Sequence, residues 1–173
     1  MSEARGQHNV TALIVALQTE RDFLFDDGGF EVEFTAVEGR YDTEPTVGLG
    51  NGRLRLLFYD RQAPPFVTAP DLPFVGVLDD SEDALALRRR YWMPLTEIFA
   101  FVDGLSYAEE RERPTPLLFE ETWQKLRTRL PELEAHFRSI DAMAEWMADF
   151  VRWRVAGGAP LDRYKARWLE GRS

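Results

Sequence analysis

The sequence predicts an α+β fold with an N-terminal helix, a mostly antiparallel sheet of about 4–5 strands and a C-terminal helical extension. Apolar residues have helical spacing near the N-terminus, and polar and apolar residues alternate around a glycine-rich turn between residues 30 and 59. Helical spacing returns from residue 122 onwards. The chain has 173 residues, of which 45% are hydrophobic, so it can bury a core and disorder is not expected.

A first helix is predicted over about residues 9–24. Asn9 is a suitable N-cap, and helical spacing is followed by Val10, Leu13, Ile14, Leu17, Arg21 and Leu24. The following segment, Asp-Asp-Gly-Gly at 26–29, contains residues that tolerate positive φ. We therefore expect the chain to turn there before the sheet begins.

The first strand and a hairpin are predicted between residues 30 and 59. In FEVEFTAV, residues 30–37, apolar and polar side chains alternate as in a half-buried strand. The Gly-Asn-Gly segment at 50–52 separates two further apolar stretches, and Asn-Gly favours hairpin turns. If these strands pair, Arg53 and Arg55 can form exposed ion pairs with the glutamates of the first strand, Glu31 and Glu33.

The central segment is predicted to contain a loop, a strand and two helices. Four prolines lie within residues 61–73, which indicates a loop, and the apolar run at 74–78 predicts a strand. Asp80 or Ser81 is expected to cap the next helix, and Pro94 to interrupt the helical pattern. The triplet at 88–90, Arg-Arg-Arg, is interpreted as a solvent-exposed helix face, because consecutive helical side chains point about 100° apart and do not converge on one small anion.

The C-terminal segment, residues 122–173, has helical spacing throughout. Pro131 is expected to bend this helical region or to start a new helix, and Ser139 to cap the helix that follows. The Gly-Gly-Ala-Pro segment at 157–160 should end that helix before a short final one. We therefore divide the chain into an α+β domain, 1–121, and a helical extension, 122–173, packed on it.

Charge is distributed unevenly and bears on the class of partner. The first 121 residues carry 11 basic and 23 acidic side chains, a net charge of −12, whereas the remainder carries +3. An acidic surface repels phosphate backbones, so nucleic acid is not the expected partner. A basic protein partner fits this charge better.

Several kinds of site are not expected from the composition. The chain has no cysteine and two histidines, and it lacks a phosphate-binding glycine loop or a nucleophile motif. The sequence therefore predicts no catalytic residues, no metal and no cofactor. The first nine residues are polar, and no apolar run approaches the roughly 20 residues that span a membrane, so a cytoplasmic protein without a membrane partner is expected.

The segment RERPTPLLFEE at residues 111–121 allows two interpretations. Thr115 could cap a helix with Pro116 in its first turn, or PLLFE could form a short edge strand that closes the first domain. Local chemistry leaves both open because proline is tolerated in either position.

A family resemblance favours the strand. Residues 90–121 resemble the closing segment of a bacterial immunity-protein family that neutralises polymorphic toxins, often deaminase-like ones. Arg113-Pro114-Thr115 corresponds to the family's Arg-Pro-Thr tripeptide, and Phe119-Glu120 stands where the family usually has Trp-Glu. The first helix and the glycine-rich hairpin also resemble that family. The resemblance implies an edge strand at about 116–120.

The function that the resemblance implies is binding rather than catalysis. The protein would neutralise a cognate, basic toxin by covering its active site, as a monomer or dimer. Exposed carboxylates and two tyrosines are the candidate contacts. They are Asp26, Asp27, Tyr41, Tyr59, Asp79, Asp80, Glu82 and Asp83.

Two other hypotheses remain. The five Trp, five Tyr and twelve Phe residues suggest a small ligand-binding domain, or a carboxylate-based enzyme, with a pocket between sheet and helices. Alternatively, the basic extension binds a helix of a partner or a second copy, although docking onto the acidic body of its own chain is preferred.

Overall fold

The computed structural model describes residues 2–38, 44–74 and 81–170, and within them it confirms the α+β class. The helices are α1 (Ser2–Glu20), α2 (Asp22–Asp26), α3 (Glu82–Tyr91), α4 (Leu95–Val102), α5 (Tyr107–Glu112), α6 (Thr115–Phe137), α7 (Ile140–Ala156) and α8 (Arg163–Ala166). The strands are β1 (Glu31–Glu38), β2 (Glu44–Gly50), β3 (Arg55–Phe58), β4 (Phe66–Thr68) and β5 (Met93–Pro94).

The five strands form an antiparallel sheet in the order β1-β2-β3-β4-β5. Because side chains alternate along a strand, the register separates two faces of the sheet. We call the face packed on the main core the inner face. It carries the buried residues Val47, Leu49, Leu56, Phe58, Val67 and Met93.

The opposite, outer face is covered by a loop and by helices. Gly48, Leu57, Phe66 and Pro94 lie opposite one another in successive strands. The ring of Phe74 lies on Gly48 so closely that a Cβ atom there would be 2.4 Å from the ring. Glycine at this position is therefore required by the close approach of the ring.

The first strand and the hairpin are confirmed, with β1 at Glu31–Glu38 and β2 and β3 paired across residues 51–54. Gly52 has a φ of 76°, and the Asn51 side chain accepts hydrogen bonds from the backbone of Arg53 and Leu54. The side chain of Asn51 thus closes the turn, so the residues of this short segment are sufficient to predict the hairpin.

The predicted ion pairs across the hairpin are half correct. Arg55 Nε lies 2.8 Å from Glu33 Oε2, as expected. Arg53 instead pairs with Glu134 of α6, with Nη1 2.8 Å from Oε2. The prediction for Arg53 was wrong because that residue lies in the turn, where its side chain is not fixed by strand alternation.

The N-terminal helix begins earlier than predicted. It starts at Ser2, so Asn9 is an internal helical residue and not the N-cap. It ends at Glu20, and Arg21, with φ −133° and ψ 37°, separates it from α2. The predicted turn at 26–29 is present, with Gly29 at a φ of 65°.

The proline-rich segment at 61–73 is not entirely loop. It contains β4, whose three residues lie between the prolines and keep their backbone N–H groups for pairing. Of the strand predicted at 74–78, residues 75–78 lie outside the described residues. Ser81 Oγ accepts a hydrogen bond from Ala84 N at 3.2 Å and caps α3, as predicted.

The edge strand predicted at about 116–120 is wrong, because α6 begins at Thr115. Pro116 lies in the first turn, where a missing N–H costs nothing, as the alternative helix interpretation expected. The N-cap position is Pro114, however, so the expected cap at Thr115 is wrong. Helical spacing from Trp123 to Phe137 buries one face of α6, and the same helix continues in the N-terminal direction to Thr115. The predicted domain boundary between residues 121 and 122 therefore falls inside a helix.

The predicted kink, N-cap and end of the C-terminal helices are confirmed. Just before Pro131, the backbone of Arg129 has φ −120° and ψ 19°, which marks a kink in α6. Ser139 Oγ accepts a hydrogen bond from Ala142 N at 3.1 Å and caps α7. Gly157 follows the end of α7.

One apolar core joins the sheet to helices from both halves of the chain. Leu17 of α1, Phe58 of β3, Leu126 of α6 and Phe150 of α7 belong to the same buried cluster. Trp123 stacks on Phe58 with ring centroids 6.1 Å apart. No helix in the described ranges is long and apolar enough to cross a membrane.

Candidate functional site

The predicted partner contacts that the structure describes lie on different elements. Asp26 and Asp27 are exposed where α2 ends. Glu82 and Asp83 are exposed in the first turn of α3, and Glu82 accepts a hydrogen bond from Arg163 at 2.9 Å. Tyr59 is half-buried. Tyr41, Asp79 and Asp80 lie outside the described residues.

The structure instead forms a cavity of about 350 Å³ between the outer face of the sheet and helices α3, α7 and α8. The lining combines an apolar wall with four cationic side chains. We call it the basic cavity. It is lined by Leu57, Tyr59, Phe66, Trp92, Pro94, Arg88, Arg89, Arg154 and Lys165.

The apolar wall is a consequence of the sheet register. Leu57, Phe66 and Pro94 lie opposite one another in β3, β4 and β5, so their side chains project from the same face. Tyr59 packs edge-on against Phe66 with ring centroids 5.8 Å apart. The three residues of this wall therefore belong to hydrogen-bonded strands, which fix their relative positions.

The last turn of α3 supplies two of the four cations. Arg88 and Arg89 line the cavity, whereas the guanidinium of Arg90 lies 4.9 Å from the ring centroid of Trp168, on another side of the helix. Basic residues in this position also interact favourably with the negative end of the helix dipole. The triplet is therefore divided between two environments, and the prediction that it forms one solvent-exposed face was wrong for Arg88 and Arg90, which are partly buried.

The other two cations come from α7 and α8. Arg154 lies in the last turn of α7, and Lys165 lies in α8. Helix α8 is held against the end of α3 by Trp168, whose Nε1 donates to the carbonyl of Arg90 at 3.0 Å. The Nζ of Lys165 donates to the carbonyl of Arg89. These bonds place Lys165 beside the two arginines of α3.

A group of buried charges lies behind the cavity. Arg154 Nε is 2.8 Å from Glu97 Oε2, and both side chains are largely buried. Burial raises the pKa of the Glu97 carboxyl, Arg154 opposes this increase, and nearby Glu110 adds to it. Burial also raises the pKa of Glu110. Glu97 offsets part of the positive charge of the cavity without lining it.

Among these groups, Lys165 has a pKa that is lowered towards neutral pH. Burial, together with the adjacent guanidinium of Arg154, lowers the pKa of its ammonium to about 8, although Asp162 and Glu97 oppose this decrease. A lysine in this environment exchanges its proton near neutral pH, whereas an arginine remains charged. The cavity therefore contains one cationic group whose charge depends on pH.

Trp92 contributes a hydrogen-bond donor that has no acceptor among the described residues. Its side chain is only 4% exposed, and within the described part of the chain its Nε1 has no hydrogen-bond partner. An unmade hydrogen bond of a buried group costs on the order of 1–3 kcal/mol. The same residue lines the cavity.

The arrangement suits an anion that carries an apolar group. None of the described side chains that line the cavity is a carboxylate. Charge-assisted hydrogen bonds from arginine and lysine favour carboxylate, sulfonate or phosphate groups. The apolar wall favours a ring or a branched aliphatic group.

The sequence singled out the arginine triplet but predicted a solvent-exposed helix face, and it did not indicate Arg154 and Lys165 as neighbours. Arg154 and Lys165 lie more than 60 positions from Arg88, so no local spacing connects them. The alternative expectation of a pocket between sheet and helices concerns the layer in which this cavity lies. No signal in the sequence specified which side chains would meet there, since their convergence depends on how α8 docks on α3.

Metal binding has no support in the described ranges, where no three His, Asp or Glu side chains lie close enough to hold an ion. No protein-family model matches the chain, and neither the curated proteins nor the solved structures include a significant match to it.

Proposed function

We propose that this protein binds a small organic anion in the basic cavity. The observation that carries the proposal is the meeting of Arg88, Arg89, Arg154 and Lys165 around an apolar wall in a chain whose net charge is −9. Four cations in one cavity of an acidic protein concentrate positive potential at that point. Anions would be attracted there and repelled from most of the remaining surface.

The size of the cavity limits the class of ligand. A volume of about 350 Å³ is near the lower end of the range for small-molecule pockets, roughly 300–1,000 Å³. A single ring or a short branched chain with one anionic group fits this volume. The anionic group would lie at the arginines of α3, and the apolar part would contact Leu57 and Phe66.

Isothermal titration calorimetry with benzenesulfonate tests this proposal, with benzylamine as the cationic counterpart. We expect benzenesulfonate to bind and benzylamine not to bind. The double variant Arg88→Gln/Arg89→Gln should weaken benzenesulfonate binding at least tenfold, because a hydrogen bond to a charged group contributes about 1.5–3 kcal/mol. Arg89 is exposed and Arg88 half-buried, so both substitutions should be tolerated.

The matched control is Arg152→Gln. Arg152 is an exposed arginine of α7, paired with Asp149 and not part of the cavity lining. We expect it to leave benzenesulfonate binding unchanged. Equal binding of both probes, or equal loss in both arginine variants, would contradict the proposal.

A second candidate function is neutralisation of a basic toxin in the cytoplasm. It is supported by the resemblance of residues 90–121 to toxin-immunity proteins and by the net charge of −12 over the first 121 residues. Exposed carboxylates at the end of α2 and the start of α3 would contact the toxin. These carboxylates are exposed to solvent and do not line the basic cavity, so toxin binding is compatible with a ligand in the cavity.

Co-expression with toxins encoded beside the gene tests the second candidate. Asp26→Lys/Asp27→Lys should abolish protection by placing positive charge against a basic partner. The matched control, Glu145→Lys/Asp149→Lys, reverses two exposed carboxylates of α7 and should protect. The idea should be abandoned if no neighbouring reading frame is toxic, or if the chain rescues none of those that are.

A further inference from the structure

Lys165 is an unusual choice of residue for its position. Of the 21 basic residues in the chain, 19 are arginine, and the two lysines are Lys125 and Lys165. Lysine differs from arginine in that it can lose its proton and act as a nucleophile. The residue that has this property lies in a cavity whose other three cations are arginines.

The surroundings of Lys165 are those of a reactive amine. Its side chain is 8% exposed, and its Nζ donates to the carbonyl of Arg89. A neutral amine can keep that hydrogen bond and still direct its lone pair elsewhere. Burial and the adjacent Arg154 both favour the neutral form, which is the nucleophilic form.

We propose that Lys165 forms an imine with the keto group of a 2-oxo acid that carries an apolar side chain. This inference rests on the proposed function, since it specifies which organic anion the basic cavity takes. The carboxylate would lie at Arg88 and Arg89, the apolar side chain at Leu57 and Phe66, and the keto carbon at Lys165. A 2-oxo acid carries its carboxylate and its keto group on adjacent carbons, and Lys165 lies beside the end of α3 that supplies the two arginines.

The reaction balances without any further reactant. The neutral amine of Lys165 adds to the keto carbon, and a proton moves to the carbonyl oxygen to give a carbinolamine. The hydroxyl group then leaves as water when a second proton reaches it, and a protonated imine remains. In total, one ammonium and one ketone yield one iminium and one water, with no change in charge or oxidation state.

In this proposal, Trp92 donates a hydrogen bond to the ligand. Its buried Nε1 has no hydrogen-bond partner among the described residues, and it belongs to the same cavity lining as Lys165. A carbonyl or hydroxyl oxygen on the ligand would accept this hydrogen bond. The 2-oxo acid would thus supply an acceptor that the described residues do not provide.

Reductive trapping tests the inference. The full chain is incubated with phenylpyruvate and sodium cyanoborohydride, which converts an imine into a stable secondary amine, and the adduct is located by peptide mass spectrometry. Of the two lysines, we expect only Lys165 to carry the adduct. Lys125 serves as an internal control, because it is the other lysine and its ammonium lies between the carboxylates of Asp103 and Glu121.

Variants at both lysines sharpen the comparison. Lys165→Arg should abolish the adduct, since a guanidinium does not form an imine, whereas Lys125→Arg should leave it in place. If Lys165→Arg fails to fold, as judged by circular dichroism, the position of the adduct in the natural chain still decides the question.

The outcomes separate this inference from the proposed function. If phenylpyruvate binds in calorimetry but no adduct forms, or if Lys125 is modified as readily as Lys165, the imine is wrong and anion binding stands. If neither phenylpyruvate nor benzenesulfonate binds, the proposed function itself is wrong. Benzenesulfonate binding without phenylpyruvate binding would contradict only the 2-oxo acid.

Discussion

At the scale of single residues, Lys165 should make anion binding depend on pH. The pKa of its ammonium is lowered to about 8 by burial and by Arg154, so the cavity loses one positive charge as pH rises through that value. Benzenesulfonate keeps its charge over this range. We therefore expect its affinity to be highest below pH 7 and to fall about tenfold by pH 9.5, as measured by calorimetry.

The variant Lys165→Arg provides the control for this pH dependence. A guanidinium remains protonated throughout the range, so the affinity of this variant should be nearly constant between pH 7 and 9.5. A decline of equal size in both proteins would show that another group is responsible.

Asn51 should contribute more to stability than its position in a surface turn suggests. Its Nδ2 donates to the carbonyl of Gly28 at 3.0 Å and to Glu134 Oε1 at 2.7 Å, and its Oδ1 accepts two backbone hydrogen bonds within the turn. Each hydrogen bond is worth about 1 kcal/mol. We expect Asn51→Ala to lower the free energy of unfolding by about 2–4 kcal/mol in urea titrations.

Two further variants serve as controls for the loss of stability in Asn51→Ala. Gln124→Ala, at an exposed position of α6, should change the free energy of unfolding by less than about 0.5 kcal/mol. Asn51→Asp would place a second carboxylate beside Glu134, so its destabilisation should diminish as the pH is lowered towards 4. Stability of Asn51→Ala within 1 kcal/mol of the natural chain would contradict the role given to Asn51.

At the scale of secondary structure elements, the sequence predicted best where local chemistry determines the outcome. Strand β1, the β2–β3 hairpin, the kink before Pro131 and the cap at Ser139 all depend on residues within a few positions of one another. The segment at 115–120 was predicted wrongly because proline is compatible with both a helix start and an edge strand. Its helical state is fixed by the burial of Trp123 and the residues beyond it.

The N-cap of α7 offers a direct test of local control. Ser139 Oγ accepts from Ala142 N, and Asp141 lies in the first turn, where it interacts favourably with the helix dipole. Ser139→Ala should lower the free energy of unfolding by about 1 kcal/mol, as measured by urea denaturation.

The conservative variant Ser139→Asp controls for other effects at this position. Its carboxylate can accept the same hydrogen bond, so it should retain most of the stability. Equal destabilisation by alanine and aspartate would indicate that the cap is not the stabilising interaction.

At the scale of the whole molecule, residues on both sides of position 121 share one core. The inner face of the sheet packs with α1, and with Trp123, Leu126 and Phe137 of α6. Sequence periodicity showed that each of these faces is apolar but not which face meets which. Packing between distant elements is decided by shape, and that information is not contained in a local pattern.

Removal of residues 122–173 should therefore expose the core. The truncated chain would lose most of α6, all of α7 and α8, and the apolar face that covers the sheet. We expect it to aggregate or to lack a cooperative unfolding transition, as measured by circular dichroism and analytical gel filtration.

Full-length Leu117→Glu is the control for this experiment. Leu117 is 61% exposed at the start of α6, so the substitution should leave the fold intact. A soluble, cooperatively unfolding truncated protein would contradict the shared core and would support an independent N-terminal domain.

The position of α6 also has a consequence for synthesis on the ribosome. The sheet and α1 are complete by residue 94, yet Trp123 to Phe137, which cover the inner face, emerge only after about 30–40 further residues. At about 5–20 residues per second, the apolar inner face would be uncovered for several seconds. A nascent chain at this stage is an expected substrate for chaperones that bind exposed apolar strands, and slowing translation after residue 94 should lower the yield of folded protein.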